Sequence, residues 1–122
     1  MKKELLLILT LVFTLSIEAA SIKRTLKAAE KGKAEAQFTL SHFYYYQKRD
    51  LEKTLYWGTK AAEQGHVKAQ CLIGSVYLEG EGVEQNPEQA VYWYRKAAEQ
   101  GHIKAQFYMG LSYYLGEGVA QD

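Results

Sequence analysis

Ala-Glu-Gln-Gly-His at Ala62 to His66 returns unchanged at Ala98 to His102, and a weaker copy, Ala-Glu-Lys-Gly, stands at Ala29 to Gly32. The glycines in these copies, Gly32, Gly65 and Gly101, are spaced by 33 and then 36 residues. A period in this range is the signature of a solenoid of helix pairs, in which each unit buries its apolar face only against its neighbours. Function in such an array belongs to an extended surface rather than an enclosed pocket. Laying His66 to Asn86 over His102 to Asp122 gives identities at 11 of 21 positions, which fixes the units at about 33–65, 66–101 and an incomplete 102–122. The first unit lacks three residues between Tyr46 and Asp50, so its interhelix loop is expected to be shorter.

Within a unit, the first helix is expected from about His66 to Leu78, because Ala69, Ile73, Val76 and Tyr77 fall on one face at helical spacing. Ala36 and Ala105 repeat the alanine, and Tyr44 and Tyr113 repeat the tyrosine. Gly74, matched by Ser41 and Gly110, lies beside that face, where a small side chain lets a partner helix come close. The loop then carries Gly80 and Gly82, repeated as Gly116 and Gly118. Both glycines of the loop are able to take positive φ, and if Gly82 and Gly118 do so their replacement by Val is expected to strain the backbone. Asn86-Pro87-Glu88-Gln89 announces the second helix, with Asn as N-cap and Pro at the first helical position. It runs through Trp93, the counterpart of Trp57, and stops at Gly101, as its forerunner stops at Gly65. Asp50 takes the cap role in the first unit.

Ala69-Gln70, Ile73-Gly74, Tyr77, Gly80-Glu81-Gly82-Val83, Ala90, Trp93-Tyr94, Lys96-Ala97-Ala98 and Gly101 recur at Ala36-Gln37, Tyr44, Tyr56-Trp57 and Lys60-Ala61-Ala62, and again from Ala105 to Val119. This pattern, covering the chain from about Lys27 onward, resembles the Sel-one-like repeat family, a relative of the tetratricopeptide repeats. The resemblance implies an all-α, right-handed superhelical solenoid of antiparallel helix pairs, here about two and a half repeats, acting as an adaptor for a protein or peptide partner. It implies no cofactor. One exported, cysteine-paired branch of the family is associated with penicillin binding and β-lactamase activity. This chain has a single cysteine, Cys71, and no Ser-x-x-Lys, so that serine route has no carrier. No enzymatic activity is expected.

With 122 residues, 48% hydrophobic content and a net charge of +1, the chain has one domain's worth of ordinary globular material and nothing that points to nucleic acid. Its start differs from the rest. Lys2 and Lys3 precede an apolar run from Leu5 to Ile17, and small Ala19, Ala20 and Ser21 follow, in the order of a secretory signal peptide. Thirteen residues are too few to span a bilayer as a helix. Residues 1–21 are therefore expected to be an export signal cut after Ser21, leaving 22–122 as a periplasmic or secreted array without a membrane span. Ile22 to Lys31 looks like the tail of a second helix. Asp122 aligns with Asn86, so the third unit lacks its second helix in this sequence.

The Gly-Glu-Gly stretches lack the preceding strand and third glycine of a dinucleotide site and read as turns. A zinc site needs at least three convergent ligands, but His66 and His102 are 36 residues apart at equivalent repeat positions, His42 is alone in the first helix and the only thiol, Cys71, sits elsewhere in the repeat, so the histidines read as structural or solvated. The chemistry-bearing face is the side of each first helix opposite the Ala69, Ile73, Tyr77 stripe. It holds Phe38, His42 and Tyr45 in the first unit, Cys71, Ser75 and Leu78 in the second, and Phe107, Leu111 and Tyr114 in the third. Such an aromatic groove suits peptide capture, because Tyr gives rigid contact area at low entropic cost; the same side chains could instead pack neighbouring first helices together. Charge is also uneven along the array. From Ile22 to Gly65 nine Lys or Arg face five Asp or Glu, and from His66 onward four face seven, which would favour head-to-tail self-association.

Overall fold

The computed structural model describes residues 1–80 and 83–116. They form six α-helices and, among the described residues, no strand: α1 (Lys2–Glu30), α2 (Ala34–Phe43), α3 (Leu51–Glu63), α4 (Val67–Glu79), α5 (Pro87–Glu99) and α6 (Ile103–Leu115). Each packs on the next, and α2 also touches α4. Helix pairs α2/α3 and α4/α5 thus stack with their first helices side by side. The last turns of α1 stand before α2 as α3 stands before α4, as expected of a second-helix tail.

The sharp junctions follow from a few residues. Gly65 takes φ +89, and its N–H donates to Ala62 O at 3.0 Å while the His66 N–H donates to Ala61 O at 3.2 Å. This pair of bonds satisfies the last carbonyls of α3 in the left-handed glycine stop. Gly101 with His102, and Gly32 with Lys33, repeat it. His66 then turns round and caps the next helix, its Nδ1 accepting from Ala69 N at 3.2 Å; His102 does the same for Ala105 N at 3.2 Å. An accepting Nδ1 places the ring proton on Nε2. Two of the three histidines read as structural or solvated, His66 and His102, are therefore N-caps. Asp50 and Asn86 cap α3 and α5 as expected, accepting from Lys53 N and Gln89 N.

A glutamine relay ties the stack together. Gln37 donates to Ala29 O, Gln70 to Ala62 O and Gln106 to Ala98 O, at 3.1 to 3.2 Å. Gln64 in turn donates to Gln37 Oε1 at 2.8 Å, and Gln100 to Gln70 Oε1 at 2.9 Å. Each relay joins three successive helices and satisfies side-chain amides that would be costly to bury unpaired.

Between the layers, Ala61, Ala62, Ala69, Ile73 and Trp93 form one buried cluster, and Ala90, Val91, Tyr94, Ala97, Ala105 and Met109 belong to another. A Cβ on Gly74 would meet the Tyr94 ring at 3.2 Å. The small residue is there to seat that ring. In the first unit the equivalent of Tyr94 is Gly58, whose Cβ would meet the Ile73 side chain and Ser41 Oγ; Ser41 fills the gap and donates to Thr54 O at 2.7 Å. Trp57 and Trp93 are thus the matched pair, each preceded by a tyrosine at 4.9 Å, which moves the Tyr56-Trp57 match by one position from Trp93-Tyr94 to Tyr92-Trp93. Gly110 has nothing within 4 Å of where its Cβ would lie, and Tyr113, unlike half-buried Tyr44 and Tyr77, is exposed.

In the loops, positive φ falls on Gly80 (+68) and Gly116 (+72); Gly82 and Gly118 lie outside the described residues. The shorter first loop is made without glycine. Five residues, Tyr44–Lys48, continue α2 as a π-helical turn, Arg49 takes φ 52, and Asp50 N donates to Tyr44 O at 3.0 Å. The apolar start is compatible with the expected signal sequence and is continuous with the helix that follows it. Nothing between Glu18 and Ile22 breaks the helix, so the apolar run lies inside a 29-residue α1 whose best 18-residue window has a mean hydropathy of 2.2. That helix has the length and composition to cross a bilayer, which thirteen residues alone do not.

Candidate functional site

A cleft of about 320 Å³ opens where α2, α4 and the start of α6 meet. Five of the nine residues assigned to the groove converge on it: Phe38, His42 and Tyr45 from α2 and its π-helical turn, and Cys71 and Ser75 from α4. The other four do not. Leu78 packs against the cluster around Ala90, Val91 and Tyr94. Phe107, Leu111 and Tyr114 are exposed on α6 outside the cleft, since no further first helix stands beside α6 among the described residues.

The cleft also takes in Tyr46, Lys68, Leu72, Glu79, His102 and Lys104. Tyr46 and Glu79 lie eight residues past Phe38 and Cys71, on the opposite border of the same face from the seventh-residue positions Tyr45 and Leu78. Both borders were legible in the helical period. His102 and Lys104 come from the next unit, and no local spacing points to them.

One wall is a run of rings in contact. Phe38 stacks on His66 at 4.7 Å and meets the edge of His42 at 5.9 Å, and His42 lies 4.5 Å from Tyr46. Tyr45 is buried behind this wall, and its hydroxyl donates to Glu79 Oε2 at 2.8 Å, joining α2 to α4. Burial, reinforced by that bond and charge, pushes its phenol up to about 12, so it stays a neutral donor. On the floor, Ser75 Oγ donates to Cys71 O at 3.1 Å and accepts from Tyr94 OH at 2.8 Å. Desolvation raises both the Tyr94 phenol and the Cys71 thiol, so the thiol is held protonated and unreactive. Among the described residues no three His, Cys, Asp or Glu side chains gather as a metal set. The floor is thus internally satisfied, and the groups left to meet a ligand are the exposed rings and the cations Lys68 and Lys104.

An open, aromatic-walled cleft on stacked helix pairs defines a helical-repeat scaffold. The Sel1 repeat model matches residues 34–66, 67–102 and 103–122, and the chain belongs to the Sel1 repeat family. Its fold is similar to the crystal structure of c5321, a protective antigen present in uropathogenic Escherichia coli strains displaying an SLR fold, with 39% identity and a TM-score of 0.77 over 83% of this chain and 22% of that one. A Sel1 repeat protein from Oxalobacter formigenes is 32% identical with a TM-score of 0.74, over 84% of this chain and 79% of that one. The ERAD-associated E3 ubiquitin-protein ligase component HRD3A of Arabidopsis thaliana is 37% identical over 58 residues, which are 44% of this chain and 9% of that protein. The chain therefore spans a small part of HRD3A and of c5321.

Proposed function

We propose that this Sel1 repeat protein is an exported interaction module that holds a protein or peptide segment in the cleft between α2, α4 and α6, and that it is not an enzyme. The observation that carries this is the exposed ring wall, His42 and Tyr46, facing a floor whose polar groups are already paired. Such a surface gives large contact area without leaving buried polar groups unsatisfied on binding. The buried, protonated Cys71 thiol argues against nucleophilic chemistry there. Export is supported by the burial pattern of α1: every side chain from 1 to 21 is exposed, and the first partly covered one is Ile22. Removing residues 1–21 would leave the packing of α1 on α2 intact.

One experiment addresses both parts. A photoreactive benzoylphenylalanine replaces Tyr46 in the cleft or, as control, Tyr92 on the exposed side of α5, in chains produced in a bacterium. Position 46 should give a cross-linked adduct in the envelope fraction, position 92 should not, and mass spectrometry should find the chain beginning near Ile22. Equal cross-linking from both positions would remove the cleft reading; a full-length cytosolic chain would remove export.

A further inference from the structure

The cleft's charge names its occupant more closely, and the inference rests on the cleft being the binding surface. Glu35, Lys68 and Lys104 are the second residues of α2, α4 and α6. At the junction of the first two units Glu35 faces the capping histidine, and His66 Nε2 meets its Oε2 at 2.7 Å. At the next junction the same position is Lys68, and the capping histidine is His102, so the carboxylate partner is replaced by a cation. His102 Nδ1 is taken by the cap, which leaves the Nε2 proton without an acceptor among the described residues. Lys68 likewise has no hydrogen bond, ion pair or ring contact there, and Lys104 only lies over the Tyr108 ring at 5.7 Å. Three donors therefore border one end of the cleft with no anion to meet them. Glu79, the only carboxylate lining the cleft among the described residues, takes the Tyr45 hydroxyl and lies about 16 Å further along α4 at 1.5 Å per residue.

We propose that the cleft takes an acidic peptide: a linear segment whose aspartate or glutamate meets Lys68, Lys104 and the His102 N–H while a neighbouring aromatic or aliphatic side chain lies on the His42 and Tyr46 rings. The ring wall supplies contact area, and the cationic end sets direction and sequence preference, since complementary charge governs specificity and encounter more than total affinity. An open cleft suits a segment passing through it. A basic segment would meet like charge at the Lys68 end.

The test is selection of phage-displayed random dodecapeptides on the full chain, held in non-ionic detergent, with sequencing of the enriched pool. The wild type should enrich Asp or Glu near Phe, Tyr, Trp or Leu. The Lys68→Glu/Lys104→Glu double variant should lose or invert the acidic preference while keeping the aromatic one, and a selected acidic peptide should bind it roughly tenfold or more weakly. Both lysines are exposed, so folding is expected to be unaffected; Lys68→Gln/Lys104→Gln serves as the milder pair, and circular dichroism checks each. An aromatic preference without an acidic one on the wild type would overturn the acidic-peptide inference and leave the cleft reading standing. Acidic enrichment that survives both double variants would overturn it too, by placing the recognition elsewhere. No enrichment at all would remove the cleft reading and this inference together.

Discussion

Trp93→Ala should bring the array close to unfolding at 37 °C. Trp93 is only 6% exposed and packs with Ala61, Ala62, Ala69 and Ile73, so it bridges α5 to both α3 and α4. Truncating a buried Trp costs about 3 to 5 kcal/mol through lost transfer energy and the cavity left behind. A domain of this size holds only about 5 to 15 kcal/mol in total. Because each unit is supported by its neighbours alone, there is no wider core to absorb the loss. The melting temperature followed by circular dichroism should fall by at least ~12 °C. A fall of a few degrees would mean the α3–α4–α5 contact is not what holds the array together.

Gly80→Val should be nearly as damaging, by a different route. Gly80 sits at φ +68 as the left-handed end of α4, and a Cβ there would come within 2.7 Å of Gln85 Cβ and 3.1 Å of Gln85 Cα. The backbone near Gln85 is tied down, since Asn86 N donates to Tyr77 O and Gln85 Nε2 to Leu78 O. Left-handed strain of roughly 1 to 3 kcal/mol then adds to an overpacking term of similar size. Gly65→Ala is the control. Gly65 has φ +89 but nothing within 4 Å of its Cβ, so only the backbone strain applies. In urea melts Gly80→Val should therefore lose clearly more stability than Gly65→Ala, and equal losses would show that the Gln85 contact is soft.

Features written in short-range spacing were legible in the amino-acid chain: the period, the helix pairs, the Asn86 and Asp50 caps, and the glycine stops at Gly65 and Gly101. What was not legible depends on residues brought together from different units. The glutamines of the Ala-Glu-Gln-Gly-His copies recur visibly, yet their partners, Gln37 and Gln70, lie 27 and 30 residues away. The histidine caps were missed because imidazole is not among the favoured N-cap side chains, and only the glycine stop just before it delivers the ring to the next helix. Left-handed geometry at Gly80 is a matter of where α4 ends, which periodicity fixes poorly. The π-helical turn at Tyr44–Lys48 answers a three-residue deletion whose length, but not whose conformation, the alignment reveals. For the cleft, the period placed Phe38, His42, Tyr45, Cys71 and Ser75 on one face, and all five line it. It could not tell which border of that face would be covered by α5, and so it chose Leu78 over Glu79. It also carried the groove onto Phe107, Leu111 and Tyr114, beside which no further first helix stands among the described residues.

The most direct test of the cleft as the binding surface is the affinity of a labelled peptide, selected on the wild type, for the His42→Ala/Tyr46→Ala variant, read by fluorescence anisotropy beside far-UV circular dichroism. Tyr45 is unsuited to this, because it is buried and holds Glu79. His42 and Tyr46 are exposed, so their truncation should weaken binding about tenfold or more with helicity unchanged, while Phe107→Ala/Tyr114→Ala should leave affinity largely as it was. Unchanged affinity in the first variant, or a loss that merely follows lost helicity, would contradict the cleft and favour these rings as packing between first helices.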